Sequence, residues 1–224
     1  IASRPLPAGS VEHQFGSRKA TASAVKMKEG SDRAACWVES LENGWLFLIP
    51  GAADDGWLLA VGGAPESLLA ESQLVSAQVE GCTRSSAEFP ASPRIADPLC
   101  GQGWLSGGTA ALAFDPLCGD GTGHALREAI LASAVIRAAA EGGNVDDLLA
   151  HYRGRLIAAF QRHLEVCRQF YSTGGSGVWW EQELGLIRHG IEWCRGSATG
   201  GAGFRFQLNG FELRAVTRGT IDPT

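Results

Sequence analysis

The 224-residue chain is 45% hydrophobic and 19% charged, and its formal net charge is −5. This composition indicates a globular protein with a sizeable core, and the acidic balance argues against a nucleic-acid or anionic-membrane partner because no basic stripe is present. No apolar run approaches the roughly 18 residues that a transmembrane helix needs, and no signal-peptide pattern is found. The sequence therefore predicts a soluble, cytoplasmic protein.

Six cysteines lie far apart along the chain, without a Cys-x-x-Cys pair or a Cys/His cluster. Zinc sites need ligands at short, regular spacing, so we expect no metal site. An even number of cysteines allows three disulfides, but a chain of this length does not need covalent staples. We therefore expect reduced, mostly buried thiols.

The first hundred residues predict an antiparallel meander that follows an irregular segment, residues 1–17. Apolar stretches predict strands over residues 18–27, 34–40, 45–50 and 57–61. Turn signals at residues 42–44 and 54–56 separate the last three strands, and the first of these turns contains Asn-Gly, a typical hairpin turn.

The meander is rich in aromatic residues, and these allow two interpretations. Any one of Trp37, Trp45, Phe47 and Trp57 is more simply explained as a core residue. An apolar ligand site also needs aromatic lining, so we expect at least one of them to line a pocket. Candidate pocket residues are Trp45 and Phe47, together with Trp179.

Two elements are predicted between the meander and residue 101. Apolar positions from Leu68 to Val79 predict a helix over residues 65–80. Three prolines then exclude a helix from residues 84–100 and predict an extended connector. Arg94, within this connector, is either a solvent-exposed charge or part of the return to the next strand.

Helices dominate the remainder of the chain. Apolar residues at spacings of three and four predict helices over residues 122–141, 144–171 and 179–194, the second with Asn144 as its N-cap. An alternating pattern around Asn209-Gly210 predicts a terminal hairpin. A phosphate-binding role for the glycine-rich residues 196–203 is the weaker interpretation because no strand precedes them. His151 and His163 are read as surface or hydrogen-bonded core residues.

Residues 101–126 are the stretch with the clearest chemistry. They read as a short strand, a glycine-rich turn, an apolar run and a second glycine cluster that opens a helix. Backbone N–H groups at such a helix start lack partners within the helix, and the helix dipole adds positive charge there. The stretch is therefore suited to bind a negative or electron-rich group.

The same stretch resembles the second flavin motif of FAD-dependent aromatic hydroxylases and halogenase-like oxidoreductases. That motif runs Gly-Trp-Leu-x-x-Gly-Asp-Ala-Ala-x-x-Phe-Asp-Pro-Leu-Ser-Gly-x-Gly, and the matching positions are Gly103, Trp104, Leu105, Gly108, Ala110, Ala111, Phe114, Asp115, Pro116, Leu117, Gly119 and Gly121. Thr109 replaces the Asp that bonds the ribityl chain of the flavin, and Cys118 replaces a Ser. The resemblance begins near Arg18 and is firm over residues 37–147.

The resemblance implies that this stretch holds the isoalloxazine side of FAD. The implied flavin-binding residues are Gly108, Thr109, Asp115, Pro116, Gly119, Gly121 and Thr122. Backbone N–H groups around Gly119 to Thr122 would stabilise the negative charge of reduced flavin. Asp115 is either a general base or a turn-fixing residue, and its place before proline favours the turn. His124 is the candidate catalytic residue.

Members of the family also carry an N-terminal strand–turn–helix with Gly-x-Gly-x-x-Gly, which holds the ADP half of FAD. No such segment precedes residue 101, and the chain begins at Ile1, so we expect a fragment whose missing N-terminal half completes the FAD site. The predicted fold class is α+β, with an antiparallel sheet packed against long helices. The predicted parts are a substrate-domain-like sheet with one helix (1–100), a flavin-motif strand–turn–helix (101–143) and a helical segment ending in a hairpin (144–224).

Two functions follow from these observations. The first is part of an FAD-dependent monooxygenase acting through a flavin hydroperoxide on an aromatic or other apolar substrate, small or peptide-borne, with NAD(P)H or a separate reductase as electron donor. In the family the meander is the floor of the substrate pocket. Halogenation is less expected, because no residues match the catalytic Lys and Glu of halogenases. The alternative is a non-catalytic module that binds a small ligand or a protein.

Overall fold

The computed structural model describes residues 9–52, 54–119, 121–197 and 205–216, without the side chains of residues 84–86 and 118. These residues belong to two compact units, each built from separate stretches of the sequence. Unit 1 takes its residues from the stretches 1–14, 93–165 and 190–224, and unit 2 from 15–92 and 166–189. The three-part division by sequence motif groups the chain differently and stays a prediction.

The described residues contain twelve strands and four α-helices. The strands are β1 (Val11–Gln14), β2 (Lys19–Met27), β3 (Trp37–Leu41), β4 (Gly44–Pro50), β5 (Asp55–Val61), β6 (Val79–Pro90), β7 (Arg94–Asp97), β8 (Cys100–Gly101), β9 (Trp104–Leu105), β10 (Leu112–Ala113), β11 (Phe206–Asn209) and β12 (Glu212–Ala215). The helices are α1 (Pro65–Glu71), α2 (Gly121–Ala140), α3 (Val145–Gly174) and α4 (Val178–Ser197). All strand pairs are antiparallel, which confirms the predicted α+β class.

Unit 2 is built on a five-stranded sheet in the order β3-β4-β5-β2-β6. Its strands β3, β4 and β5 form the predicted meander. Gly44 begins β4 with φ +156°, and a Cβ there would lie 2.1 Å from the Val61 carbonyl oxygen, so the Asn-Gly turn requires glycine. One face of the sheet forms the apolar core, which contains Val25, Met27, Leu46, Leu48, Leu58, Ala60, Leu68, Val75 and Val79.

The helix predicted over residues 65–80 ends at Glu71, so the second half of that prediction is wrong. The carboxylate of Glu39, on β3, accepts hydrogen bonds from the backbone N–H groups of residues 73–75 and from the Ser72 hydroxyl. A longer helix would need those N–H groups for its own backbone ladder. The buried carboxylate captures them, and the chain turns toward β6.

The connector predicted over residues 84–100 is correctly extended, but most of it is paired strand. Strand β6 runs to Pro90 beside β2, with register shifts along the pair, and β7 pairs with both β1 and β10. Pro90 ends β6, while Pro93 and Pro98 lie just outside β7. Proline is tolerated at such strand ends because no ladder hydrogen bond is lost there.

Unit 1 contains the three-stranded sheet β1-β7-β10, the hairpins β8-β9 and β11-β12, helix α2 and the first part of α3. The three long helices start and end within a few residues of their predicted bounds. The Asn144 side chain accepts a hydrogen bond from the Asp147 N–H at 3.1 Å, which confirms the N-cap. The Asn-Gly hairpin is also confirmed, with Gly210 at φ +59°. Residues 198–204 of the second glycine-rich loop lie outside the described residues.

The thiols are more exposed than predicted. Cys167 and Cys194 are buried, Cys82 and Cys100 are half-buried, and Cys36 is exposed. All five are reduced thiols, and the expectation of mostly buried thiols holds for only two of them. Among the residues described, no helix combines the length and apolar character that crossing a bilayer requires.

Candidate functional site

The glycine-rich turn at residues 106–109 is held by side chains from two helices of unit 1. The Tyr152 hydroxyl, on α3, donates to the Ser106 carbonyl at 2.6 Å. The Gly108 N–H donates to Glu128 Oε2, on α2, at 2.9 Å. Gly108 begins a turn of 3-10 helix with φ +59°, a left-handed conformation that glycine adopts without steric cost.

Thr109 follows in the same turn and is exposed. Its carbonyl accepts a hydrogen bond from Arg94 at 3.2 Å, and Arg94 also pairs with Glu12 of β1. Only 17% of the Arg94 side chain is exposed, so the interpretation of a solvent-exposed charge is wrong. Arg94 braces the backbone at Thr109 and leaves the threonine side chain at the surface.

A second turn leads into α2. Asp115 is 2% exposed and caps a turn of 3-10 helix, where its Oδ1 accepts from the Leu117 N–H at 2.9 Å. His163 Nε2 accepts from the Asp115 N–H at 2.8 Å. Gly119 ends the turn in the left-handed conformation, with its N–H bonded to the Pro116 carbonyl. Asp115 thus has the turn-fixing contact that its place before proline predicts.

The two turns and the start of α2 present glycines with open space in front of them. A Cβ added at Gly108, Gly119 or Gly121 would meet no atom within 4 Å. Gly119, Gly121 and Thr122 are exposed, and the start of α2 offers N–H groups without partners in the helix. No described side chain fills these three positions. A flat, electron-rich ligand could therefore approach the backbone closely, and the residues present fit a flavin ring.

Comparisons with known proteins give the fold a family context. No protein-family model and no curated protein matches the sequence. Among solved structures, the chain is similar to the flavin-dependent halogenase CmlS, with a TM-score of 0.67 and 18% identity over 84% of this chain and 40% of that one. The chain has the fold of flavin-dependent halogenases and FAD-dependent monooxygenases.

Two further solved structures support that assignment. The myxobacterial chondrochloren halogenase CndH matches with a TM-score of 0.65 and 14% identity, over 93% of this chain and 55% of that one. PqsL, a probable FAD-dependent monooxygenase from Pseudomonas aeruginosa, matches with a TM-score of 0.55 and 15% identity, over 84% and 53%. The chain spans about half the length of these flavoenzymes, as the resemblance to one half of the superfamily predicted.

His124, the candidate catalytic residue of this flavoenzyme fold, lies in a cluster of rings beside the second turn. Its ring stacks on Phe114 with centroids 4.1 Å apart and planes inclined at 26°. His163 meets the same phenyl ring edge-on at 4.7 Å and is 4% exposed. His163 is thus a hydrogen-bonded core residue, as predicted, whereas His124 is half-buried and a catalytic role for it stays a prediction.

His151, also on α3, is 5% exposed and lies edge-on to Phe206 at 5.4 Å. Burial, and to a smaller extent the nearby charge of Arg155, lowers the pKa of His151 to about 4. The imidazole is therefore neutral at physiological pH. This placement confirms the interpretation of His151 as a core residue.

Glu128 contacts the flavin-motif turn but is not among the site residues that the sequence predicts. Burial raises the pKa of Glu128 to about 7, although the hydrogen bond from Gly108 opposes this shift. Its spacing from Leu131, Ala132 and Val135 places it on the buried face of α2. A glutamate on an otherwise apolar helix face was the available signal, because such a carboxyl needs a buried partner.

The predicted pocket residues of unit 2 differ in accessibility. Trp45 is fully buried, and its indole N–H donates to the Tyr171 hydroxyl at 3.1 Å. Phe47 and Trp179 are half-buried and retain surface that a ligand can reach. The sheet face away from the apolar core also exposes Val38, Ile49 and Trp57, at 46%, 42% and 55%.

Proposed function

We propose that the chain supplies the isoalloxazine-side site of an FAD-dependent monooxygenase that oxidises an aromatic or other apolar substrate. The observation that carries the proposal is the open space in front of Gly108 and Gly119, in the two motif turns, and of Gly121, at the start of the 20-residue helix α2. These three positions are called the cradle. Flavin, when bound, supplies two-electron redox chemistry and reacts with dioxygen. NAD(P)H or a separate reductase would deliver the electrons.

Each residue of the cradle has a distinct task in this proposal. The N–H groups of Gly121 and Thr122, at the start of α2, would face the edge of the ring that becomes negative on reduction, while the Gly119 N–H stays bonded to the Pro116 carbonyl. Pro116 would let the ring pack closely, while Asp115 keeps the same turn in shape through the hydrogen bond that its carboxylate accepts from the Leu117 N–H. The Thr109 hydroxyl would bond the ribityl chain as a neutral partner.

The adenine side of FAD has no counterpart among these residues. We propose that tight binding uses an N-terminal nucleotide-binding half of the kind that carries Gly-x-Gly-x-x-Gly, as in the resembling family. The isolated chain would then bind FAD weakly. Addition of such a half would tighten binding without changing the contacts at the cradle.

The substrate is proposed to be apolar because the aromatic sheet of unit 2 offers mostly hydrophobic surface. Phe47 and Trp179 would line the pocket, and the exposed Trp57 and Ile49 extend the same kind of surface. An apolar pocket also excludes water, which protects reactive intermediates from side reactions. The substrate could be a small molecule or an aromatic side chain carried on a peptide.

The proposal is tested by blocking the cradle at a helical glycine. We expect Gly121→Leu to weaken FAD binding at least about tenfold, because the new side chain occupies the space a ring needs. Gly185→Leu is the matched control, since Gly185 is also helical and has no atom within 4 Å of an added Cβ. Equal FAD affinity of both variants and the unchanged chain would contradict the cradle.

A non-catalytic binding module is the second candidate, and the threonine at position 109 favours it. In the resembling flavin motif an aspartate stands there, and a threonine is a weaker, uncharged partner for a ribityl hydroxyl. Thr109→Asp separates the two functions. The flavoenzyme predicts tighter FAD binding by this variant, whereas a module that binds another ligand predicts no FAD binding before or after the change.

A further inference from the structure

Glu128 lies on the buried face of α2, beneath the turn that carries Gly108 and Thr109. We propose that Glu128 is a positioning residue whose carboxyl sets the orientation of the Gly108 amide and couples the flavin-binding turn to pH. The proposal rests on the proposed function, because it concerns the turn assigned to the flavin. It assigns to Glu128, a residue of α2, control over a turn that lies in a different part of the sequence.

The contact between the helix and the turn is direct. Glu128 Oε2 lies 2.9 Å from the Gly108 nitrogen, and Glu128 is only 6% exposed. The two residues are separated by 20 positions in sequence, so the bond joins α2 to the turn and does not stabilise the helix itself. Water has little access to replace the carboxylate as acceptor.

The bond acts on the Gly107–Gly108 peptide, which lies between the Ser106 and Thr109 carbonyls held by Tyr152 and Arg94. Gly107 is extended, with φ −144° and ψ 160°, and Gly108 is left-handed at φ +59°. Two successive glycines leave the peptide between them free to rotate, and no atom packs within 4 Å of the Gly108 Cβ position. The carboxylate therefore selects one orientation of the Gly107–Gly108 peptide. This orientation sets the position of Thr109, the next residue in the chain.

Ionisation changes the strength of this selection. A carboxylate accepts a charge-assisted hydrogen bond, whereas a neutral carboxyl accepts more weakly and has a proton that needs its own acceptor. Burial raises the pKa of Glu128 to about 7, with the Gly108 N–H acting in the opposite direction. Both forms are therefore populated near neutral pH.

The charged and titratable groups around Glu128 can be assigned by element. Tyr152 on α3 interacts electrostatically with Glu128, and Cys100 on β8 interacts with Tyr152; burial raises the pKa of both, so both stay neutral while Glu128 ionises. Across the turn, β7 carries Arg94. On β12, which also packs on α2, Arg214 lies 3.7 Å from Glu212.

On α2 itself, Glu128 is accompanied by His124 and Arg127. His124 is the neighbour whose ionisation could be mistaken for that of Glu128, because imidazoles titrate in the same pH range. His124→Gln therefore serves as a background in which any remaining pH effect at Gly108 belongs to Glu128. Arginine stays charged throughout this range and adds no pH dependence.

The test follows hydrogen exchange of the Gly108 amide by NMR in the flavin-free chain, between about pH 5.5 and 8.5. The variants are Glu128→Gln, which keeps an uncharged acceptor, and Glu128→Leu, which has none. Glu141→Gln is the control, because Glu141 is exposed just after α2. Exchange is expressed relative to the intrinsic rate at each pH, so only protection is compared.

We expect protection of Gly108 to rise roughly tenfold with pH in the unchanged chain and in the control. Glu128→Gln should keep a constant, intermediate protection, and Glu128→Leu should lose protection at every pH. Protection that is pH-independent in the unchanged chain, or unaltered in Glu128→Leu, would overturn the proposal. If Glu128→Leu fails to fold, the isosteric Glu128→Gln variant decides the question.

Titration with FAD separates this proposal from the proposed function. Near pH 8.5 we expect Glu128→Leu to bind FAD at least about tenfold more weakly than Glu128→Gln. Equal affinities of the two variants would overturn the positioning role at the flavin site. Absence of FAD binding in all forms would overturn the proposed function, while the exchange data would still decide whether Glu128 sets the turn.

Discussion

His163 Nε2 accepts a hydrogen bond from the Asp115 N–H at 2.8 Å, so an imidazole of α3 fixes the backbone that leads into α2. That nitrogen must be unprotonated to accept the bond. The Asp115 carboxylate in turn accepts from the Leu117 N–H. The turn before the candidate flavin site is therefore fixed at Asp115 by two hydrogen bonds. Its backbone N–H donates to His163, and its carboxylate accepts from Leu117.

Substitution His163→Ala should destabilise unit 1 by about 2–4 kcal/mol, because it leaves the buried Asp115 N–H without an acceptor and opens a cavity. Chemical denaturation measures the loss. His189→Ala is the control, since His189 is exposed, and it should cost less than about 0.5 kcal/mol. Equal losses for the two variants would show that the bond to Asp115 contributes nothing.

Glu128 should make unit 1 as a whole less stable as the pH rises, because the cost of burying its charge exceeds the gain from the stronger local bond to Gly108. Its pKa is raised to about 7 in the folded chain, against an ordinary value of 4.5. Its contribution to stability is therefore full below about pH 4.5 and is lost as the pH passes 7. Glu128→Gln, which cannot ionise, should be more stable than the unchanged chain at pH 8 by up to about 3 kcal/mol.

Thermal unfolding of Glu128→Gln at a series of pH values checks this prediction. The advantage of the variant should shrink steadily toward pH 5, where the carboxyl of Glu128 is neutral in the folded chain. A variant that is less stable than the unchanged chain at pH 8 would mean that the charged form is not penalised by burial.

Glu39 should show the opposite pH dependence in unit 2. Burial raises the pKa of Glu39, but hydrogen bonds from Ser72 and from the backbone N–H groups of residues 73–75 outweigh burial and leave the pKa below its ordinary value. The stability it provides is present above the unfolded-state pKa and is lost as the pH falls through the folded-state value.

Glu39→Gln should therefore cost about 1–3 kcal/mol at neutral pH, because it replaces a charged acceptor of several bonds. The loss should diminish in acid, where the native carboxylate is also neutralised. Glu42→Gln is the control, as Glu42 is exposed in the turn after β3. A loss that stays constant down to acid unfolding would contradict the role of the charge.

The Arg18–Glu183 ion pair of unit 2 has side chains that are at most 1% exposed. Glu183 also accepts from the Ser17 hydroxyl at 2.6 Å, and the Arg18 guanidinium lies 4.6 Å from the Tyr171 ring centroid. Glu183→Ala should cost about 3–5 kcal/mol, because it leaves a buried cation without its counter-charge.

Urea unfolding of Glu183→Ala measures this loss, and Glu181→Ala, exposed on the same helix, is the control. The double variant Arg18→Met/Glu183→Leu should recover most of the stability, since apolar residues often replace a buried pair without cost. A double variant as unstable as Glu183→Ala would show that the pair contributes more than charge compensation.

Periodicity predicted the elements whose signals lie within a short stretch of sequence. The meander, α2, α3, α4 and the Asn-Gly hairpin all follow from apolar spacing, caps and turn residues within a few positions of each other. The end of α1 could not be predicted this way, because Glu39 captures the amides that follow it from more than thirty residues away in sequence. Local propensity is overridden where a distant carboxylate competes for the same N–H groups.

The residues of the candidate site also differ in whether the sequence alone identifies them. The glycines, Asp115 and Thr109 are readable from the motif because they act through their own backbone and neighbours. Glu128 and His163 act through bonds to residues 20 and 48 positions away, so only the folded chain brings them to the turns. Residues that would contact the ligand are easier to identify from a sequence pattern than the residues that hold them in position.

The most direct test of the flavin site is an NMR titration of the chain with FAD, which detects weak binding. If flavin binds at the motif, the amide resonances of Gly108, Gly119, Gly121 and Thr122 shift on titration. These shifts are lost in Gly121→Leu but kept in Gly185→Leu. No shifts at saturating FAD, or shifts confined to other residues, would contradict flavin binding at the motif.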